Sequence, residues 1–263
     1  MPLLNSAMKS SRAKPSAPLP MIVRRALRRV LPQRIYLRYV GRHDQQTRRI
    51  WSVLAGKVAG SQAILDVGAH VGEFSILARQ ANPDSVIAAF EPNASSFEML
   101  QSTSQNYGLT AVHSAVSSLD GEVTFNCRTV SGHIVTEKSG VDDRDRLETV
   151  ASLRLDTWLK VQGWKIGLLK GDVEQSEPQV FQGMSQCLSQ DLPIILCEVL
   201  TDEVGAAVES ELPADYVFYA IDENRGLQAR DRICRISWRD LNWLLLPRSK
   251  RDDVIEWLGI RCP

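Results

Sequence analysis

The sequence predicts an α/β fold built on a mostly parallel sheet, and three observations carry that prediction. Short apolar runs alternate with runs of helical periodicity from about residue 63 onward. A glycine-bearing turn, Asp66-Val67-Gly68-Ala69-His70-Val71-Gly72, joins the first apolar run to the first helical one. Acidic residues recur where apolar runs end, at Asp66, Glu91, Asp172 and Glu198.

Taken in order, residues 1–20 are rich in Ser, Pro and Lys and read as a disordered tail, with Met8 and Met21 as alternative starts. Residues 21–58 read as a basic helical extension. In 21–31, Ile22, Val23, Ala26, Leu27, Val30 and Leu31 share one helical face and four arginines the other. Three readings stand for that segment: contact with an anionic membrane surface, a helix packed on the domain, or a transit peptide. Ile50, Trp51, Val53, Leu54 and Val58 continue a helical pattern into the core domain, residues 59–263.

That domain opens with a strand near 63–67, a helix near 73–80, a strand at 86–91, a helix near 94–106 and a strand near 110–116. Residues 119–155 break the rhythm. Glu122–Cys127 and Val150–Leu155 read as an inserted hairpin around a polar loop. Asp156 is expected to cap a helix carrying Trp158, Leu159 and Val161. Strand four is Ile166–Asp172, followed by a helix with Val180, Phe181 and Met184; strand five is Pro193–Val199. Tyr216–Ile221 and Asn242–Pro247 fit a closing pair with an antiparallel last strand.

The 263 residues carry no formal net charge, but the charge is unevenly spread. Residues 1–50 hold 12 Lys/Arg and 1 Asp/Glu, leaving 19 basic and 30 acidic residues in the remainder, a net of −11. An acidic globular part argues against a nucleic-acid surface. The five cysteines are scattered without C-x-x-C spacing, as expected of reduced thiols in a cytoplasm-like compartment. No apolar run is long enough to cross a bilayer.

Glycine spacing separates the nucleotide-site types. Counted from Gly68, the third and sixth positions are His70 and Glu73, so the dinucleotide fingerprint fails. The phosphate-loop ending Gly-Lys-Ser/Thr is absent. What remains is Asp-x-Gly-x-x-x-Gly followed by an acid at the end of the next strand. That looks like the S-adenosylmethionine (SAM) site of class I methyltransferases. The bland reading is an ordinary strand–helix turn.

ILDVGAHVGEFS, AFEPN, SAVSSLDGEVTF, LRLDTWL, LLKGDVEQSEPQVFQG, PIILCEV and NWLLLP follow one another in that order. Together they resemble the FkbM family of SAM-dependent methyltransferases over about residues 60–247. That family reads DVGANxG, FEP, LD, KxDVEGxE and a strand ending in Glu. The resemblance implies a Rossmann-like, seven-stranded sheet and methylation of a hydroxyl on a sugar or natural product. Asp66, Gly68, Ala69, His70, Gly72 and Glu73 would form the SAM loop, Glu91 with Pro92 would meet the ribose, and Ala115 would approach the adenine. Asp172 and Glu174 are candidates for base and acceptor orientation, with Glu198 and Glu177 as second choices. A carboxylate at a strand end is also often only a helix cap. Two or three of these carboxylates could instead hold a divalent cation as hard oxygen ligands, although no His joins them in sequence. His70 stands where the family has Asn and Gln175 where it has Gly. The second departure keeps open an inactive module of the same fold, and an α/β oxidoreductase is the other alternative.

Overall fold

The computed structural model describes residues 44–127, 132–135, 144–235, 237 and 241–260. The tail 1–20 and the basic segment 21–31 lie outside the described residues. Asp44–Pro263 form one compact unit, so the helix before residue 59 belongs to it.

The chain begins the main sheet with β1 (Gln62–Val67), β2 (Val86–Phe90) and β3 (Thr110–Val112). It leaves for a four-stranded sheet made of β4 (Ala115–Val116), β5 (Gly121–Asn126), β6 (His133–Ile134) and β7 (Leu147–Leu153). It returns through β8 (Lys165–Gly171), β9 (Ile194–Glu198), β10 (Tyr216–Asp222), β11 (Gly226–Arg230) and β12 (Asn242–Pro247). The strand orders are β11-β10-β12-β9-β8-β1-β2-β3 and β4-β7-β5-β6. The first five main-sheet strands pair in parallel, and β12 runs antiparallel to both β9 and β10. The main sheet has eight strands, not seven, because β11 folds back on β10 as an added edge.

The helices are α1 (Gln45–Ala55), α2 (Glu73–Ala81), α3 (Ala94–Tyr107), α4 (Leu155–Gln162), α5 (Glu177–Gln182), α6 (Ser185–Gln190), α7 (Asp202–Glu211) and α8 (Arg251–Trp257). Side chains alternate across each strand, so each strand feeds two cores. Ile64, Ile87, Leu168 and Leu244 pack with Ile50, Trp51 and Leu54 of α1 and with Val254 of α8. Leu65, Phe90, Leu169 and Trp243 pack on the other face with Leu159, Phe181, Leu188 and Val208. Coverage on both faces is why the central strands are apolar almost throughout. Trp51 anchors α1: it is fully buried, and its Nε1 donates to the Phe74 carbonyl at 2.8 Å. Truncating such a buried indole to Ala costs ~3–5 kcal/mol.

Three expectations are corrected. The strand read over 110–116 splits at His113–Ser114, because the Ser114 hydroxyl donates to Ala151 O at 2.9 Å and β4 pairs with β7. The hairpin's second strand runs Leu147–Leu153, since Leu155 already opens α4. Asp156 does not cap its own helix. It accepts from the backbone N–H groups of Gln186 and Cys187 at 3.0 and 2.9 Å and so caps α6. Among the described residues, no helix is long and apolar enough to cross a membrane.

Candidate active site

Register decides which residues meet. Asp66 at the end of β1 lies opposite Lys170 of β8, and Gly171 lies opposite Cys197 of β9. The next residues along, Asp172 just past β8 and Glu198 at the end of β9, are therefore neighbours. This is the carboxyl end of the parallel strands, where open α/β sheets bind ligands.

Asp66 is 1% exposed. Its Oδ2 accepts from the backbone N–H and hydroxyl of Ser75, at 3.0 and 2.7 Å, which ties β1 to the first turn of α2. Among the described residues its Oδ1 takes no hydrogen bond, and Lys170 Nζ stands 3.9 Å away. Burial pushes the Asp66 carboxyl above its ordinary range, with the Lys170 ammonium and Ser75 pulling it back.

The turn that follows threads between β2 and β8. The N–H groups of Gly68 and Ala69 both donate to Phe90 O, at 3.0 and 2.9 Å. Gly68 has φ 73°, and a Cβ there would sit 1.9 Å from the Asp172 carbonyl oxygen. Only glycine allows both the dihedral and the approach. Gly72 has φ 86°, and an added Cβ would lie 2.9 Å from Leu100 of α3. His70 has φ 52° and donates its N–H to Glu91 Oε2 at 2.8 Å. His is among the few residue types other than glycine that are enriched in that left-handed region. Glu73 opens α2 and forms an ion pair with Arg48 of α1.

Glu91 is 6% exposed, and its second oxygen accepts from Asn93 N at 2.8 Å. Burial raises its pKa to about 7, against the lowering effect of those two backbone donors. Pro92 O lies 3.1 Å from His113 Nε2, and the His113 ring stacks on Phe97 at 4.4 Å. Ala115 is buried in β4, opposite Ser152.

On the other side of the turn, Asp172 N donates to Val67 O at 3.0 Å. Asp172, Glu174 and Glu198 each offer a carboxylate oxygen, all within 4.8 Å of one another. Glu174 and Gln175 have φ 53° and 75°. Gln175 therefore holds the left-handed conformation that glycine adopts without strain, at a cost of ~1–2 kcal/mol. Burial lifts the Glu198 pKa well above the usual glutamate range, and Asp172, Glu174 and Glu177 push it further. Glu177 is 1% exposed and accepts from Val173 N at 3.0 Å. Burial raises its pKa to about 8.

The model of the methyltransferase FkbM domain matches residues 66–222, more than half of the chain. The chain belongs to the methyltransferase FkbM family. The match starts at Asp66 and ends in β10, so it takes in both sides of the turn. Among solved structures, an FkbM methyltransferase from Methylobacillus flagellatus aligns at 16% identity and TM-score 0.48, covering 86% of this chain and 58% of that one. A SAM-dependent O-methyltransferase from Thermotoga maritima aligns at 14% identity and TM-score 0.39, covering 77% and 63%. A precorrin-6y C5,15-methyltransferase from Geobacter metallireducens aligns at 12% identity and TM-score 0.42, covering 77% and 89%. No curated protein is a significant sequence match.

The FkbM domain's donor set suits SAM. Asp66 offers a buried oxygen without a hydrogen-bond donor, suited to an ammonium or a water. Glu91, directly after β2, accepts one N–H on each oxygen and keeps a lone pair on both, suited to ribose hydroxyls. The three clustered acids have the hard oxygen donors that a divalent cation takes. The fold thus gathers Asp66, Gly68, Glu91, Asp172, Glu174 and Glu198 at one sheet end. It engages Glu73 with α1, and it brings in Lys170, for which the sequence alone predicts no role. The available signal was a lysine directly after the apolar run Ile166–Leu169, at the first position of KxDVEGxE.

Proposed function

We propose that this FkbM domain is a SAM-dependent O-methyltransferase acting on a hydroxyl of a small molecule, a saccharide or natural product. The observation that carries the reading is the convergence of Asp172, Glu174 and Glu198 within 4.8 Å at strand ends that adjoin the Gly68 turn. Bound SAM supplies an electrophilic methyl group on a sulfonium. The protein's task is to hold an acceptor in line with it and to take the proton of a poorly nucleophilic hydroxyl. Lys170 occupies Oδ2 of Asp172 at 3.1 Å, so Oδ1 is the atom that receives the proton. Glu174 and Glu198 orient the acceptor from either side, directly or through a divalent cation.

Calorimetry with SAM on the wild type and on Glu91→Ala tests the cofactor half. Micromolar-range binding weakened by the substitution supports it, and no binding by either protein refutes it. Transfer of labelled methyl from SAM to a saccharide panel, with and without Mg2+, tests the acceptor half. The left-handed backbone at Gln175, the conformation a glycine takes without strain, favours activity over an inactive module. The basic segment 21–31 suits a cytoplasmic enzyme working at an anionic membrane on a lipid-linked acceptor. Deleting residues 1–32 without changing membrane partitioning would sink that last point.

A further inference from the structure

We propose that Lys170 is a positioning residue: one buried ammonium clamps Asp172 by a single oxygen and leans on Asp66, holding the acceptor side and the cofactor side in fixed relation. The inference rests on the acceptor reading of Asp172 given above. Lys170 is 4% exposed in a strand buried from Ile166 to Gly171, where burying an ammonium is costly unless carboxylates compensate. Its Nζ donates to Asp172 Oδ2 at 3.1 Å and stands 3.9 Å from Asp66 Oδ1. Were neutralising the buried Asp66 its whole purpose, Asp66 would be the nearer partner. The nearer partner is instead Asp172, whose side chain is 39% exposed and would otherwise sample several rotamers.

The clamp is itself braced. Lys170 Nζ lies 4.9 Å from the centroid of the Phe74 ring, and the Arg48 guanidinium lies 5.4 Å from the same ring. Phe74 thus meets two cations, while Arg48 pairs with Glu73 and the Phe74 carbonyl holds Trp51 of α1. One ammonium therefore connects the strand end bearing the acceptor acid, the SAM turn and helix α1.

The test is a double-mutant cycle on the full chain, with Lys170→Met, Asp172→Asn and the pair, read as kcat and acceptor KM at saturating SAM. We expect Lys170→Met to lower kcat by ~10–100-fold with acceptor KM changed by less than about 3-fold. The pair should be no slower than Asp172→Asn alone, because Lys170 acts through Asp172. Losses that multiply would overturn the proposal, as would an unchanged kcat. Should Lys170→Met fail to fold, Lys170→Gln, which keeps one donor, replaces it in the cycle. Crystal structures of wild type and variant with S-adenosylhomocysteine add a readout independent of turnover. Asp172 leaving its wild-type rotamer supports the clamp, and an unmoved Asp172 overturns it. A wild type that binds SAM, methylates nothing and still loses the Asp172 rotamer in the variant leaves the clamp standing and overturns the acceptor reading.

Discussion

A methyl group at position 68 would stand 1.9 Å from the Asp172 carbonyl oxygen, on a backbone at φ 73°. Gly68→Ala must therefore open the space between β1 and β8. We expect it to cost ~3 kcal/mol or more by thermal unfolding and to remove measurable SAM binding in calorimetry. Glu91 gives a pH dependence. Its pKa of about 7 means that its ionised form, the better acceptor of two hydroxyls, is depleted as pH falls. SAM affinity should weaken below about pH 7, by up to tenfold per unit, and Glu91→Gln should flatten that slope. Glu177 acts on stability. Its carboxyl binds a proton more tightly folded, with a pKa near 8, than unfolded, with an ordinary value of 4.5. The stability it contributes is thus present at low pH and lost as pH rises from the ordinary glutamate range through about 8. Glu177→Gln should raise stability at pH 9 by ~2 kcal/mol and change it little near pH 5, as read by urea unfolding at the two pH values.

The turn after β8 is the element on which the family departure bears, and the structure shows how the chain accommodates it. Glu174 and Gln175 follow one another with positive φ, and Gln175 is exposed, so only the backbone bears the cost. Gln175→Gly should raise stability by ~1 kcal/mol, a rise of a few degrees in Tm, without altering SAM affinity. Elements whose signal is local were legible in the sequence. β1, β2 and the helices after them follow from periodicity, and α3 adds Asn93, whose side chain accepts from Ser96 N at 3.2 Å. Elements set by distant partners were not. The break at Ser114 depends on Ala151, 37 residues away, and the capping of α6 depends on Asp156, 30 residues before Gln186. Helix α7 buries only Val204, Gly205 and Val208, a thin apolar stripe interrupted by a glycine, and it escaped the sequence reading although Thr201 caps it. Asp66, Asp172 and Glu198, which the structure brings to one sheet end, were legible because they stand at or just past the ends of apolar runs. The approach of Lys170 to Asp66 was not, since it follows from the pairing of β1 with β8, which nothing local encodes.

At the scale of the molecule, the compact unit runs from Asp44 and contains every residue assigned to the site. A chain beginning at Asp44 should unfold in one cooperative transition and bind SAM with the full-length affinity, which calorimetry of both forms would check. The order of strands in the main sheet also constrains how that unit comes into being. β12 lies between β9 and β10, although both precede it in the chain. A nascent chain displaying everything through Arg230 still lacks the strand that joins the β10–β11 hairpin to the other strands. Its slot exposes two rows of unpaired backbone groups and the apolar surface that Trp243 and Leu245 later cover. Closure must wait for Asn242–Pro247, and until that strand arrives the open slot is the place where this chain can mispair.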